Sequence, residues 1–557
     1  MKRIFNYILS TALILGAVSC GEDEILDQWI ADNPPAEEVP VSGDPGDLNL
    51  SNLVVLGTSL ASGIQDGALF NAGQSGSFPN LLGAHFQIDG LGGTAAFGQP
   101  DINSVNGYNM LYNDGTSGRT QLDLSLRAPV PTTGDPASLG AAWGGTTSTL
   151  NNFGIPLAYA GQFLTDDTSD PFTSSFNPFY RRFASVASTN GSTGSIALTD
   201  AISAGGSFFI YEAGINDILL YAAGGGTTAI GPITSSGAFE AYADIAIHAL
   251  ASAGTSLVTT PTYSVEGLVL NVPPILVFPF FQAVQWDAIA FDANDPVDVG
   301  TVAALNDGFE GLNGAIDFAV TRTVIDQDEA DARYVSYATG SNPILVVDQS
   351  LTDLGSHFDF MYANEIITLE DRIALEPFRQ SRPLAEGEIV PLSTATKLGV
   401  EADGDDENDV IVPYGVVIPL GFDYDEGAQE TLGGDPYYID FAEQVEIETA
   451  RALYNVALAG AVADVNNGGG DIALVDIASI FLDAAGLSDG VQGITVQGLN
   501  LSPDFAPNGI FSTDGIHPCQ RGHAIIANKI IATMNSNWNA SIPEIEVAPV
   551  LGPYFIP

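Results

Sequence analysis

Short apolar runs that stop at a glycine or a polar residue recur four times along the chain. Residues 53–56 read Leu-Val-Val-Leu and stop at Gly57. Residues 207–211, 267–272 and 472–476 have the same character. Uninterrupted short apolar runs are typical of strands that are buried on both faces of a parallel sheet. The pattern therefore predicts four buried parallel strands.

Helical periodicity lies between and after these runs. Residues 441–465 repeat apolar side chains at three-to-four spacing, and Asp440 with Glu443 forms a capping-box pattern at the helix start. Residues 524–536 predict a second helix near the C-terminus. The apolar stretch 267–286 does not predict a membrane span, because three prolines would break a helix there. Strands that alternate with helices predict an α/β fold with a parallel sheet.

Two long regions do not fit a minimal α/β unit. Residues 84–150 are rich in Gly, Asn and Thr, and residues 285–435 mix acidic loops with short β-like runs. We interpret both regions as insertions into one domain of residues 49–545 that cover one end of the sheet. A separate small domain is the alternative. Residues 546–557 are assigned to a C-terminal tail.

The charge of the chain excludes several classes of partner. The 557 residues carry a formal net charge of −53 at pH 7, with 15 basic side chains. A nucleic acid is held mainly by Lys and Arg, so no nucleic-acid partner is expected, and an anionic membrane surface would repel the chain. Disorder is also excluded, because 45% of the residues are hydrophobic and 15% are charged. The sequence predicts a folded protein with an acidic surface.

The N-terminus has the pattern of an export signal. Lys2 and Arg3 precede an apolar stretch that ends in small residues before Cys20. This order of charge, apolar segment and small residues is typical of a cleaved signal peptide, which we assign to residues 1–19. Residues 20–48 are acidic and rich in proline, so we interpret them as a tether.

Cys20 stands at the expected cleavage point. The segment resembles a bacterial lipoprotein signal, in which the cysteine becomes the lipidated first residue. An ordinary signal peptide with an incidental cysteine is the alternative. The resemblance implies an exported protein that is anchored to the outer membrane by lipid on Cys20, and it leaves open whether the protein faces the periplasm or the cell exterior. Cys519 then has no partner for a disulfide.

Three short motifs carry candidate chemistry. A serine hydroxyl becomes a nucleophile when a histidine accepts its proton, and the histidine needs an acid to fix its tautomer. Ser59 after the first strand, with Asp514 and His517 near the C-terminus, supplies these groups. The oxyanion that forms needs preorganised donors, which the Asn216 amide and backbone N–H groups supply. All three motifs lie at strand ends or helix starts, where open α/β sheets bind ligands.

These residues, in this order, resemble the SGNH hydrolase family, also called GDSL lipases/esterases. The match is to long, Bacteroidetes-type lipoprotein members. It implies a three-layer α/β/α, flavodoxin-like fold with a parallel sheet and large insertions. It assigns catalysis to Ser59, Asp514 and His517. It assigns the oxyanion hole to Asn216 with the backbone N–H groups of Ser59 and Leu157.

Two positions depart from the family pattern. Thr58 stands where the family usually has Asp or Asn, which removes a group that braces the loop, although a hydroxyl replaces part of that hydrogen bonding. Leu157 stands where the family usually has a glycine. A backbone N–H survives that change, but glycine-only backbone angles would not. Residues 65–67 (Gln-Asp-Gly) agree with the family pattern.

Each candidate also has a structural interpretation. Ser59 could lie in a strand-end turn, Asn216 with Asp217 could cap a helix over residues 218–223, and His517 could mark a helix start. The remaining histidines lack a comparable acidic partner pattern and are interpreted as structural: His85, His248, His357 and His523.

The acidic run at residues 401–409 resembles a calcium loop, because oxygen ligands alternate around Gly404. The closing glutamate of such a loop is absent, so a solvated acidic loop is the favoured interpretation. The hydrolase mechanism requires neither a metal nor another cofactor, and none is expected.

The leading hypothesis is a secreted, lipid-anchored serine esterase or lipase that hydrolyses carboxylic esters through an acyl-enzyme on Ser59. Its expected partners are an ester substrate (a lipid, an acylated small molecule or a glycan) and the membrane that holds the lipid anchor. The apolar loop at residues 273–281 is a candidate wall of the acyl pocket. Two alternatives stand beside it: a carbohydrate O-acetylesterase, and a non-catalytic surface binding lipoprotein that retains the fold.

Overall fold

Five short parallel strands form the central sheet. They are β1 (Leu53–Gly57), β2 (Asn152–Gly154), β3 (Phe208–Tyr211), β4 (Glu266–Leu270) and β5 (Ile472–Val475). Their order is β2-β1-β3-β4-β5, and every neighbouring pair is parallel. The four strands expected from the apolar runs are confirmed. The edge strand β2 has three residues, too few to form a recognisable apolar run.

The computed structural model describes residues 41–557 except 94–95, 110–114, 124–127, 229–230, 259, 403–412, 425–426, 430–435, 506–508, 549, 551–554 and 557. Gly43–Pro557 forms one compact unit, and Met1–Ser42 is a separate unit of which residues 41 and 42 are described. The expected signal peptide, Cys20, most of the tether and most of the acidic run at 401–409 lie outside the described residues.

Six of the helices are α1 (Ser59–Ser62), α2 (Asn216–Ala223), α3 (Ser236–Ala251), α4 (Pro296–Thr321), α5 (Phe441–Asn467) and α6 (Gln520–Asn537). α4 lies in the 285–435 insertion, and the other five position the site or pack on the sheet. The predicted helices at 441–465 and 524–536 correspond to α5 and α6. The predicted capping box is present, because the Glu443 N–H donates to Asp440 and the Asp440 N–H donates to Glu443, each over 2.8 Å.

The other helices have at most nine residues. They are Asn71–Ser75, Phe78–His85, Ala137–Gly140, Pro178–Arg181, Ala197–Ser203, Pro279–Gln282, Gln327–Arg333, Gly355–Ala363, Leu369–Ala374 and Ala478–Ala484. Single 3-10 turns are Thr147–Thr149, Ala160–Leu164, Asp166–Ser169, Thr255–Leu257, Ile275–Val277, Glu376–Phe378 and Leu392–Thr396.

Helices cover both faces of the sheet. All residues of β1 are buried, and adjacent side chains along a strand point to opposite faces. In β3, the Phe208 ring packs edge-on against Trp538 at the end of α6, with ring centroids 6.0 Å apart. On the opposite face, the Tyr211 ring packs against Phe163, beside α3, with centroids 6.3 Å apart. The fold is therefore an α/β fold with a parallel sheet between helices.

Both insertions contain secondary structure and belong to the same compact unit as the sheet. Within 84–150, Ser117–Asp123 pairs antiparallel with Ala128–Thr133. Within 285–435, α4 contributes Phe309 and Leu312 to an apolar cluster distinct from the core around the sheet. The remaining strands are Ile289–Phe291, Gly340–Asn342, Leu345–Val347, Ser381–Pro383, Phe422–Asp423, Ala428–Gln429, Ile494–Val496, Leu499–Phe505, Gly509–Phe511 and Phe555–Ile556.

The polypeptide joins the folded unit at Gly43. The Gly43 N–H donates to the Asp89 carbonyl and the Asp47 N–H to the Trp538 carbonyl, each over 3.0 Å. Leu48 is buried, so the last residues of the expected tether pack on the folded unit. No helix in the described part of the chain is both long and apolar enough to cross a membrane.

The strand order creates a crevice beside β1 and β3. Numbered along the chain, the order is 2-1-3-4-5, and the direction in which strands are added reverses between β1 and β3. In open sheets of this order, ligands bind at the carboxyl ends of the strands beside that reversal. α1 follows β1 after one residue, and α2 begins five residues after β3 ends. The fold therefore brings the first turns of α1 and α2 to one crevice.

Candidate active site

Ser59 is the first residue of α1 and is buried. Its Oγ accepts two hydrogen bonds. The Leu157 backbone N–H donates over 2.8 Å, and the Asn216 Nδ2 donates over 3.3 Å. Three segments that are distant in sequence thus meet at one hydroxyl, as the motif analysis predicts for Ser59, Asn216 and Leu157.

Leu157 has a backbone φ of +59°, in the left-handed region that favours glycine. The turn is held in place because the Asn177 side chain donates to the Pro156 carbonyl over 2.8 Å. Leu157 adopts this left-handed φ, which a residue with a Cβ reaches at a cost, and directs its N–H at Ser59. The backbone cost of that conformation is about 1–2 kcal/mol for a residue with a Cβ.

Asn216 is the first residue of α2, and its side chain bridges two segments rather than capping the helix. Nδ2 donates to Ser59 Oγ and to the Ala158 carbonyl, the latter over 3.1 Å. α2 begins after Ile215 without a side-chain cap, so the capping interpretation is wrong. Asp217 instead accepts from Ala160 N–H (3.1 Å) and Thr234 Oγ1 (2.7 Å).

Asp514 and His517 lie together in the loop before α6. His517 Nδ1–H donates to Asp514 Oδ2 over 2.8 Å, and the His517 backbone N–H donates to Oδ1 over 2.8 Å. Burial alone would raise the pKa of Asp514, but the neighbouring His517 and its hydrogen bonds outweigh burial and hold the pKa below its usual value. Because Nδ1 carries the donated proton, Nε2 of a neutral His517 has its lone pair available.

His517 Nε2 is buried and has no hydrogen-bond partner among the described residues. It lines a small cavity together with Ser59 and Asn216. Ser59 Oγ is directed at Leu157 and Asn216, so the structure brings Ser59 and His517 to the same cavity without a hydrogen bond between them. The cavity volume is about 20 Å³, room for about one water. Its other lining residues are Thr58, Leu60, Ile215, Leu219, Pro273, Phe278, Phe481, Ile516 and Pro518.

A second loop supports Asp514 from behind. The Gly67 N–H donates to Asp514 Oδ2 over 2.8 Å. Asp66 accepts from the Thr513 N–H (3.0 Å) and Oγ1 (2.8 Å) and lies 3.5 Å from Arg119. Burial raises the pKa of Asp66 to about 6. The Gln-Asp-Gly segment at 65–67 therefore fixes the loop that carries the acid, a role that the sequence pattern alone does not reveal.

Thr58 is braced by a carboxylate that the sequence analysis missed. The Thr58 N–H donates to Glu212 Oε2 over 2.7 Å, and Thr58 Oγ1 donates to Oε1 over 2.8 Å. Glu212 lies directly after β3, four residues before Asn216. That position at a strand end beside a candidate motif is the only sequence signal for it.

The other four histidines have structural partners. His85 bonds the Pro543 carbonyl, and His357 bonds the Ala315 carbonyl. His248 pairs with Asp244 on α3 and bonds Tyr263. His523 accepts from the Phe78 N–H, and burial lowers its pKa to about 3. Cys519 is a buried free thiol whose pKa is raised by burial.

The described residues contain no group of three or more His, Cys, Asp or Glu arranged to hold a metal ion. A far larger cavity, about 1590 Å³, lies in the 285–435 insertion between α4 and Leu369–Ala374. It shares no lining residue with the Ser59 cavity, and no serine, cysteine or histidine lines it. The candidate nucleophile and its histidine therefore lie at the smaller cavity.

Comparison of the chain with models of protein families, with curated proteins and with solved structures found no match.

Proposed function

We propose that the chain is a serine hydrolase of the SGNH type that cleaves carboxylic esters of short acyl groups. The observation that carries the proposal is the convergence at one cavity of the Ser59 hydroxyl, its two donors and an acid-oriented histidine with a free Nε2. The doubly wound strand order supports it, because the cavity lies at the crevice where such sheets bind ligands.

In the proposed reaction, Ser59 rotates about χ1 from its resting donors toward His517 Nε2. Nε2 takes the hydroxyl proton as Oγ bonds to the ester carbonyl carbon, and the same proton passes to the leaving alcohol oxygen as the carbon–oxygen bond breaks. Water then attacks the carbonyl carbon of the acyl-enzyme and gives a proton to His517 Nε2. That proton passes to Ser59 Oγ as the bond between Oγ and the acyl carbon breaks, which releases the acid and restores Ser59. Asp514 holds the imidazole in the required tautomer and stabilises its charged form.

Rotation of Ser59 leaves two donors facing the space that Oγ occupied. The Leu157 N–H and Asn216 Nδ2 then receive the carbonyl oxygen as it becomes negative. The Ser59 N–H is proposed as a third donor, because the first N–H groups of a helix have no partner within the helix. Removal of one such donor typically costs about 10²- to 10³-fold in kcat.

The size of the cavity favours a short acyl group. Phe278 and Phe481 close the cavity, and their rings pack with centroids 5.2 Å apart. A volume near 20 Å³ suits an acetyl methyl group and not an extended chain. This observation favours the carbohydrate O-acetylesterase among the candidate functions, with the acetylated sugar outside the cavity.

Hydrolysis of 4-nitrophenyl acetate, butyrate and octanoate by the purified chain tests the proposal. Ser59→Ala should lose at least about 10³-fold of the acetate rate, because the nucleophile is absent. Ser252→Ala is the matched control, since Ser252 is a buried serine that bonds the His248 carbonyl. Equal rates in wild type and Ser59→Ala defeat the proposal.

A fluorophosphonate probe separates the enzyme from the non-catalytic binding lipoprotein. The probe should label Ser59 in the wild type, and His517→Ala should abolish labelling. A folded wild type that is not labelled favours the binding protein.

The lipid anchor on Cys20 is also a proposal, resting on the N-terminal sequence. Cys20→Ala expressed in a bacterium should move the chain from the membrane fraction to the soluble fraction, and an unchanged distribution contradicts the anchor.

A further inference from the structure

Glu212 is a fully buried carboxylate bonded to the segment that carries Ser59. Both of its oxygens accept from Thr58: the N–H over 2.7 Å and Oγ1 over 2.8 and 3.0 Å. The Ala61 backbone N–H is a further donor to it. Glu212 therefore binds both ends of the first turn of α1, on either side of Ser59.

Close approach of β1 and β3 makes this contact possible. Leu56 pairs with Tyr211, and the Glu212 N–H donates to the Leu56 carbonyl over 3.0 Å. A Cβ at Gly57 would lie 2.9 Å from Glu212 Oε2 and 2.5 Å from the Ala61 Cβ. Gly57 is thus required by the carboxylate and helix that pack against it, since its own φ is not positive.

The helix α1 cannot hold Ser59 in place by itself. It has four residues, and its N-cap residue Thr58 makes no side-chain cap to the helix. An isolated turn of that length has no helical stability in water. The hydrogen bonds from Thr58 and Ala61 to Glu212 supply the missing cap from the neighbouring strand.

We propose that Glu212 is a positioning residue that fixes the Ser59 hydroxyl between Leu157, Asn216 and His517. The inference rests on the proposed function, because it assigns Ser59 as the nucleophile. Glu212 acts through Thr58 and Ala61 and does not line the Ser59 cavity. Its removal leaves three buried donors without an acceptor and frees the turn, so the reaction loses the alignment of Ser59 while substrate contacts stay unchanged.

Because Glu212 is buried, an acidic side chain cannot take the place of Thr58 beside it. Burial raises the pKa of Glu212, and the hydrogen bonds from Thr58 and Ala61 offset only part of that rise. Another carboxylate facing Glu212 would add repulsion in a buried site. An aspartate at position 58 and a glutamate at position 212 are therefore expected to be incompatible, whereas either one alone is tolerated.

A double-mutant cycle tests this expectation: wild type, Glu212→Thr, Thr58→Asp, and the double variant. An aspartate at the N-cap can accept the Ala61 N–H directly, so the double variant regains a cap for α1. Glu212→Thr lacks that cap, and in Thr58→Asp the two carboxylates repel each other. Each single variant should lose about 10- to 100-fold in kcat for 4-nitrophenyl acetate, with KM within about threefold of wild type. The double variant should recover most of that loss.

The outcomes distinguish the two proposals. If the wild type hydrolyses the ester and Glu212→Thr keeps the wild-type kcat, the role of Glu212 is overturned and the proposed function stands. The same holds if the losses in the double variant are additive. A raised KM in the single variants, with kcat unchanged, overturns the positioning role of Glu212 as well. A folded wild type that neither hydrolyses the ester nor reacts with the fluorophosphonate overturns the proposed function together with this inference.

Glu212→Gln keeps the inference testable if Glu212→Thr does not fold. It preserves side-chain size and one acceptor oxygen, so kcat should fall less than in Glu212→Thr, with the melting temperature near wild type. A wild-type kcat in Glu212→Gln counts against the role. Asp200→Asn is the matched control, because Asp200 is a buried carboxyl bonded to Tyr180 and Ser195. It should lower the melting temperature and leave kcat unchanged.

Discussion

Leu157 shows how a side chain can depart from a motif while the backbone keeps its geometry. Its φ of +59° lies where glycine is favoured, and its N–H still donates to Ser59 Oγ over 2.8 Å. The position needs a particular backbone direction, and the side chain is half-buried. The cost of the left-handed conformation is about 1–2 kcal/mol, less than the roughly 2.7–4 kcal/mol by which one oxyanion-hole donor typically lowers a reaction barrier.

Comparing Leu157→Gly with Leu157→Ala measures the free-energy cost of the left-handed backbone conformation at position 157. Both variants lose the leucine side chain, but alanine keeps the Cβ clash of the left-handed conformation. The glycine variant should be more stable than the alanine variant by about 0.5–1 kcal/mol in urea unfolding, after the higher entropy of unfolded glycine is subtracted. Both keep the N–H, so both should retain esterase kcat within about threefold. A more stable alanine variant contradicts the argument.

The sequence allows prediction of the candidate catalytic groups but not of the groups that hold them in place. Ser59, Asn216, Asp514 and His517 follow from residue type and order, because the proposed reaction needs those groups at strand ends. Glu212 and the support from Asp66 depend on which strands lie side by side and how closely. No local spacing encodes that approach, so these carboxylates emerge only once the strand order is known.

At the scale of elements, the length of a strand decides whether the hydrophobic pattern of the sequence predicts it. β1, β3, β4 and β5 are runs long enough to recognise, whereas β2 (Asn152–Gly154) is not. α5 was located by its apolar spacing, yet Phe441, Val445 and Val456 of that spacing are 51%, 66% and 69% exposed. The buried face of α5 is instead formed by Ile447, Ala450, Tyr454, Leu458, Ala461, Val462 and Val465. A helix with two apolar faces does not reveal from its sequence which one meets the core.

Asp217 at the start of α2 lowers the stability of the fold by an amount that depends on pH. Burial raises its pKa from 3.8 to about 6. A raised carboxyl pKa means that the protonated form fits the fold better, so its stabilising effect is complete below about pH 4 and is lost as pH rises through 6. Two pKa units correspond to at most about 3 kcal/mol at pH 7.

Asp217→Asn should remove this dependence. Asparagine can accept from Ala160 and face the Thr234 hydroxyl without carrying charge. The variant should gain melting temperature relative to wild type at pH 7.5 and show a much smaller gain at pH 4.5. Asp66 titrates in the same range in both proteins, so it cancels in the difference. A difference that is constant with pH contradicts the assignment.

At the scale of the whole molecule, salt changes the stability of the fold in two opposite ways, one through the net charge and one through local ion pairs. The chain has a formal net charge of −53, whose self-repulsion opposes the compact state. Arginines in the 285–435 insertion form ion pairs with carboxylates, among them Arg333 with Glu329 and Arg382 with Asp348 and Glu388. Salt weakens both the repulsion and the pairs, so the balance between them sets the direction of the effect.

Repulsion should dominate that balance. The pairs are few and partly buried, which limits screening, and a typical exposed pair contributes about 0–1 kcal/mol. Repulsion acts over the whole surface, and the screening length falls from about 30 Å at 0.01 M salt to under 8 Å above 0.15 M. The melting temperature should therefore rise by several degrees between 10 mM and 500 mM NaCl. Sucrose at equal osmolality is the control, because it stabilises by exclusion without screening charge. A melting temperature that falls with NaCl, or that rises equally with sucrose, would show that self-repulsion does not limit the stability of this acidic fold.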